Sequence, residues 1–382
     1  MRQLGDKTLE AGSFEEYLPP VAAGVSPRLI SPSAFSDIIS TAWVLPSTLA
    51  YNTFGFECRL GEEVPRADFL VLATSSCGRD SLAGLHPTST LPALLMADPV
   101  WRRVQDFAAC WAEPSSLLHD AVDNIWLEFD IDGLVPVVPI PSVFFGLMKN
   151  VQSDAAHEPD ADRYQATVET AIRLLSEDEP PPRMVQTLST CFRALLPEEQ
   201  VFQVGLMLSR GPGAVRLCIR LSSVERIVEY LAGVGWPGDE AGLRGVLDPL
   251  ASSVDRVLLD IDASETVGAK IGLECYFDGN RQPGREPRWG AFLDSLVRQG
   301  LCTADKSEAL LAYSGYVDQN APGVPWPAAL LRTSQLLGGR SLSTFVRSLH
   351  HVKIVYLPGV PLEAKAYLAG NHHWHTPASG SS

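Results

Sequence analysis

The feature that most constrains this chain is a recurrence. Runs of β-strand composition come in adjacent pairs joined by turns, and helical runs separate each pair from the next. The first pair, 53–60 and 67–74, flanks Gly61, Glu62 and Glu63. The second, 125–132, turns at Gly133 and returns through 140–147, with Pro136, Pro139 and Pro141 making that return a broken or edge-like strand. The third, 202–209 and 215–220, flanks Gly211, Pro212 and Gly213; the fourth is 256–262 with 270–277. The last, 352–357 and 360–368, turns at Pro358 and Gly359. Hairpins mean antiparallel strands, and interposed helices mean that one sheet face is covered. Ten such strands can close on themselves and lose their edges, leaving a lumen inside and helices outside. The pattern therefore predicts an α+β chain of repeated αββα units forming a ten-stranded antiparallel barrel.

Helices are expected over 33–49, from Asp98 as N-cap and Pro99 to about 111, and over 160–175, 184–195, 222–234, 239–252, 287–299, 304–311, 328–337 and 341–349. Ser222 and Glu225 have capping-box spacing. A linker is expected over 152–159. Residues 1–32 read as an irregular lead-in, 33–370 as one repeat domain and 371–382 as a flexible tail.

Composition narrows the function. A hydrophobic content of 46% with 20% charged residues indicates a folded chain. A net charge of −15 argues against binding nucleic acid or docking on an anionic membrane. No run approaches the roughly 20 apolar residues of a membrane span, and the N-terminus lacks an apolar signal-like core. Seven cysteines with no close pairing fit reduced thiols, so the expected location is the cytoplasm.

Strand periodicity then sorts the polar residues by face. Lys365 and Tyr367 share one face, as do Arg216 and Arg220; Lys353 and Lys365 lie on the two arms of one hairpin. An ammonium and a phenol side by side suit a diphosphate. Glu128, Asp130 and Asp132 also share a face, and Asp260 and Asp262 pose the same choice. Turned inward, these carboxylates would repel a diphosphate unless a divalent cation intervened. Alternation alone favours the outward reading, with Trp126 beside them and Ile125, Leu127, Phe129 and Ile131 opposite. His350, His351 and the histidines of 371–375 complete no zinc-like spacing, so no metal site is assigned. Residues 208–213 are Gly-rich but join two strands, unlike a phosphate loop. Cys58 and Cys77 are expected to be buried thiols.

The αββα order resembles the aromatic prenyltransferase superfamily, the PT-barrel or ABBA proteins. Residues 54–60 resemble that family's first strand, where a glutamate acts on the aromatic acceptor. Residues 215–220 and 273–279 are similar to units of the cyanobactin peptide prenyltransferases, and Lys365 with Tyr367 to the Lys-x-Tyr pairs with which indole prenyltransferases hold prenyl diphosphate. The resemblance implies Glu57 as the base, and Arg59, Arg216, Arg220, Lys270, Lys353, Lys365 and Tyr367 as diphosphate ligands. Tyr276, Tyr356 and Phe144 would shield the allyl cation or hold the acceptor. It implies transfer of a dimethylallyl or geranyl group from its diphosphate to an aromatic small molecule or peptide side chain in specialised metabolism, with Mg²⁺ left open; the richness in Ala, Gly, Pro, Leu and Arg suggests a bacterial source. The alternative is a barrel that binds a small molecule, peptide or partner protein without catalysis. A lumen gathering Glu57, Arg216, Lys270, Lys365 and Tyr367 supports the enzyme; a carboxylate-rich lumen argues against it.

Overall fold

A computed structural model describes residues 12–133, 136–148, 161–176, 178–211, 213–338 and 341–375. The strands are β1 (Phe54–Arg59), β2 (Ala67–Thr74), β3 (Val122–Phe129), β4 (Ser142–Leu147), β5 (Gln200–Leu206), β6 (Val215–Arg220), β7 (Arg256–Ala263), β8 (Val267–Tyr276), β9 (Gly315–Asp318), β10 (Leu342–Tyr356) and β11 (Glu363–His375). Each of β1 to β7 pairs antiparallel with the next, β8 pairs with β10, β10 with β11, and β11 returns to β1. The result is a closed ten-stranded antiparallel barrel, with β9 adding to the outer reach of β10.

The hydrophobic core lies outside the barrel, between sheet and helices. The helix Pro99–Ala112 opens with Asp98 accepting from Val100 N and buries Trp101, Val104, Phe107 and Trp111. A run of ring contacts joins helix to strands: Trp101 to Phe129 at 6.3 Å, Phe129 to Phe69 and Phe69 to Phe56 at 6.2 Å. This settles the face of β3. Ile125, Leu127 and Phe129 are fully or almost fully buried in that core, so Glu128 and Asp130 turn inward, against the expectation from alternation. The covering helices need the apolar face, and the lumen takes what remains. Asp132 is exposed past the strand end.

Other expectations shift. Residues 12–32 are not irregular: a 3₁₀ turn, Phe14–Tyr17, and a helical turn, Leu18–Ala22, bury Phe14, Tyr17, Leu18 and Val21. Phe14 meets Phe54 at 5.3 Å and Phe69 at 5.4 Å, closing one end of the core. The stretch 341–349 is not helical but belongs to β10, because β9 and the end of β11 pair with it from both sides. The strand residues 371–375 likewise replace part of the expected tail. The helix Val224–Gly233 is capped by Ser223, one residue after the expected cap; Ser222 instead donates to Glu199. The linker 152–159 and the turn residue Pro212 lie outside the described residues. Among the described residues, no helix is long and apolar enough to cross a membrane.

Closure needs Gly55. A Cβ there would stand 2.2 Å from the Leu368 carbonyl oxygen on β11, a backbone atom that cannot move aside. Gly55→Ala is expected to destabilise the protein by about 2 kcal/mol or more through overpacking, read as a lowered midpoint in denaturant unfolding. An unchanged midpoint would mean that β1 and β11 are not so closely joined.

Candidate active site

Register determines what faces the lumen, because a residue and its cross-strand partner point to the same side. Glu57 lies opposite Tyr367, and Tyr367 opposite His351. Lys353 lies opposite both Lys365 and Glu274. Asp260 pairs with Gly272 and with Cys218, and Arg216 with Asp262 and with Gly205. Phe144 pairs with Gly205 and Trp126, Leu70 with Glu128, and Asp68 with Glu57. All of these but Gly205 line one cavity of about 510 Å³, within the size range of ordinary ligand sites.

Glu57, Arg216, Lys270, Lys353, Lys365, Tyr367, Tyr276 and Phe144 all line this cavity, so most of the expected set converges. Three expected residues are placed elsewhere. Tyr356 points to the helices, where it packs on Trp236 at 6.1 Å and donates to Asp239 O at 3.3 Å; it does not shield the lumen. The parity of β10 dictates this, since Lys353 and Val355 face inward. Arg59 sits at the rim, tied to Asp68 at 3.3 Å and Glu62 at 3.9 Å. Arg220 lies at the opposite rim over the Phe202 ring, 5.6 Å from its centroid.

The lumen also gathers residues that no motif marked. Seven carboxylates line it (Glu57, Asp68, Glu128, Asp130, Asp260, Asp262 and Glu274) against five cations (Arg210, Arg216, Lys270, Lys353 and Lys365). Most of the cations are paired. Arg216 holds Asp262 in a two-point bond at 2.8 and 3.0 Å. Arg210 forks onto Asp130, Lys353 contacts Asp260, and Lys365 and Tyr367 both donate to Glu57. Lys270, exposed at the mouth, has no such partner among the described residues. Gly272 makes room for one of these pairs: a Cβ would stand 2.5 Å from Lys353 Cε and 2.8 Å from an Asp260 oxygen. Sequence alternation could have put Asp260, Asp262 and Glu274 on one face, but not chosen the face. His350 and His351, adjacent in sequence, both reach the lumen because the β10–β11 register slips between Leu349 and His351. No spacing rule anticipates that bulge. His351 stacks between Tyr276, at 4.7 Å, and Tyr367, at 4.2 Å. Cys218 faces the lumen; Cys58 is buried and Cys77 partly buried, all as free thiols. Among the described residues no group of three or more His, Cys, Asp or Glu is disposed to hold a metal ion.

Burial sets the protonation of these acids. It pushes Glu57 upward, but the charges of Lys365 and Lys353 and the bonds from Lys365 and Tyr367 overcome it and hold the carboxyl at about 2. Glu128 has no such donor, and burial with the Glu57 charge pushes it up to about 8. Burial and Asp260 raise Glu274 to about 7, and burial and Glu57 raise Asp68 to about 6. At neutral pH the lumen thus sets a firmly ionised Glu57 beside a Glu128 that is mainly neutral.

No protein-family model matches the sequence, and no curated protein matches it. Solved structures do. Prenyltransferase PriB in its apo form superposes with a TM-score of 0.50 at 14% identity, covering 93% of this chain and 94% of that one. The fold is that of the prenyltransferase barrels. The 5-dimethylallyl tryptophan synthase of Streptomyces coelicolor, in complex with DMASPP and Trp, matches at 16% identity over 93% of both chains, with a TM-score of 0.45. A second structure of that synthase matches at 17% identity over 95% of this chain and 98% of the other, with a TM-score of 0.44.

The raised carboxyls have a consequence for stability. A carboxyl whose folded pKa lies above its unfolded value stabilises the fold fully below the unfolded pKa and loses that contribution as pH rises through the folded one. For Glu128 that window runs from its ordinary 4.5 to about 8. The melting temperature is expected to fall between pH 5 and pH 8.5, and to fall less in Glu128→Gln, as scanning calorimetry across that range would reveal. Parallel curves for the two proteins would mean that Glu128 ionises normally in the lumen.

Proposed function

We propose that the protein transfers a prenyl group, of dimethylallyl or geranyl type, from its diphosphate to an aromatic acceptor, a small molecule or a peptide side chain. The observation that carries this reading is the convergence of Glu57, Arg216, Lys270, Lys353, Lys365 and Tyr367 with aromatic walls on one closed lumen. In it, Arg216, Lys270, Lys353 and Lys365 take the diphosphate, and their charge stabilises it as the C1–O bond of the donor breaks. Tyr367, Phe144 and Trp126 present ring faces to the allyl cation and keep water from it, while Tyr276 and His351 extend the stack that backs Tyr367. The acceptor ring forms the new bond to C1 and then loses a proton to Glu57. A carboxylate held at about 2 is a weak base, but an arenium proton is acidic enough to need no stronger one. Lys365 and Tyr367 orient Glu57 for that step.

A second reading rests on a different observation: the lumen is carboxylate-rich, seven acids to five cations, the outcome that argues against the enzyme, and most of those cations are already neutralised. A barrel so compensated fits a binding protein without chemistry. The two readings diverge on the donor. Calorimetry with dimethylallyl S-thiolodiphosphate, with and without Mg²⁺, is expected to give binding that weakens in Lys270→Met; no binding in either condition overturns the transferase. With turnover established on any aromatic acceptor, Glu57→Gln is expected to lower kcat by about 10²- to 10⁴-fold, the usual worth of a general base. Donor affinity should stay close to that of the unaltered protein. Equal turnover in the variant would remove Glu57 from the chemistry.

A further inference from the structure

The lumen is short of positive charge. Four of its five cations are each engaged by one carboxylate: Arg216 by Asp262, Arg210 by Asp130, Lys353 by Asp260 and Lys365 by Glu57. The fifth, Lys270, stands exposed at the mouth. Three acids remain. Asp68 is tied at the rim, where it accepts from Ile131 N at 2.9 Å and from Arg59 at 3.3 Å. Glu128 and Glu274 have no ion pair with a Lys or Arg among the described residues. Glu274, on β8 opposite Lys353, accepts from the Tyr276 hydroxyl at 2.8 Å and lies 3.7 Å from His351 Nε2. Burial, with His350 and Lys353, keeps that imidazole neutral. Asp260, Arg216, Cys218 and Tyr367 are the other charged or titratable groups that act on Glu274. Glu128, on β3 between Leu70 of β2 and Ser142 of β4, accepts no hydrogen bond among the described residues. Glu57, Lys353, Arg216, Lys365 and Tyr367 act on it through the lumen.

A diphosphate entering this space adds several negative charges to a lumen whose acids already outnumber its cations. With every acid ionised, the two unpaired carboxylates repel it at close range and low hydration. With those two protonated, acids and cations balance, and each neutral carboxyl gains an O–H that can donate to a diphosphate oxygen. We propose that Glu128 and Glu274 take up protons as the prenyl diphosphate binds, so that these two carboxyls make donor affinity depend on pH. The proposal rests on the prenyl-transfer reading for the identity of the donor. The direction follows from linkage. Burial and the Glu57 charge already raise Glu128 to about 8, and burial and Asp260 raise Glu274 to about 7; a bound diphosphate raises both further. The favourable neutral form is fully present below the free values. Affinity falls as pH rises past them, first through Glu274 and then through Glu128, by up to about tenfold per pH unit for each group. Asp68, raised only to about 6 and held by Arg59 and Ile131 N, is ionised across this range.

The test titrates dimethylallyl S-thiolodiphosphate calorimetrically into the whole protein at pH 6.5, 7.5 and 8.5, in two buffers of unlike ionisation enthalpy at each pH, with and without Mg²⁺. The difference in heat between buffers counts protons taken up and needs no variant. The same titrations are made on Glu128→Gln/Glu274→Gln and on each single change. Protonation of the ligand itself is common to all four proteins, so the comparison between them isolates the carboxyls. The unaltered protein is expected to take up more protons than the double variant at pH 7.5, and to lose about tenfold or more in affinity relative to it between pH 6.5 and 8.5. At pH 6.5 the double variant should bind about as the unaltered protein does, which separates lost charge from lost folding, and each single change should remove part of the pH dependence. Equal pH profiles or equal proton uptake in the unaltered and doubly altered proteins would overturn the proposal. So would binding that needs Mg²⁺ at every pH, which would assign the balancing charge to the metal. Thiolodiphosphate that binds without the extra uptake leaves the prenyl-transfer reading standing and removes this one. If only inorganic diphosphate binds, with the expected uptake, the two carboxyls keep their role and the prenyl-transfer reading falls.

Discussion

The structure depends on one pairing, that of β1 with β11. The six residues from Phe54 to Arg59 lie antiparallel against those from Gly370 back to Lys365. Without it the sheet has two long edges and no inside. With it, Glu57 receives bonds from Lys365 and Tyr367, 308 and 310 residues further along the chain. The loop closed by this contact is nearly the whole protein, so its entropic cost falls on the fold as a whole. What repays that cost is burial outside the barrel, where Phe54 and Phe69 meet Phe14 and Phe56 meets Phe35.

Closure also inverts the usual arrangement of a β protein. The more apolar side of most barrel strands faces outward to helices, and the more polar side faces a narrow lumen. Charges in such a space are poorly hydrated and must find each other. Arg216 with Asp262, Arg210 with Asp130 and Lys365 with Glu57 are the outcome. Lys353 reaches Asp260 past β8 only because Gly272 has no side chain between them. Where no partner is available, the acid gives up its charge instead, as the raised Glu128 does.

Much of this was legible from residue order. The hairpins at β1–β2, β5–β6 and β7–β8 follow from alternation and turn residues, because register within a hairpin is local. So does the pairing of Lys365 with Tyr367 on one face. Less legible was the first half of β10, since 342–349 becomes a strand only through β9 and the distant end of β11. His351 escaped because a bulge breaks the period of two. Tyr356 was misassigned because the type of residue says nothing about which side of the sheet it faces.

The sequence by itself determined the repeated αββα order, the antiparallel sheet and the spacing that sets Glu57, Arg216, Lys365 and Tyr367 on their strand faces. These are local properties, governed by backbone period and turn chemistry. Only the tertiary structure decided which face became the inside. That choice belongs to the helices, whose aromatic residues claimed Ile125, Leu127 and Phe129 and so turned Glu128 and Asp130 into the lumen. A strand carries two faces of equal standing until something packs against one of them.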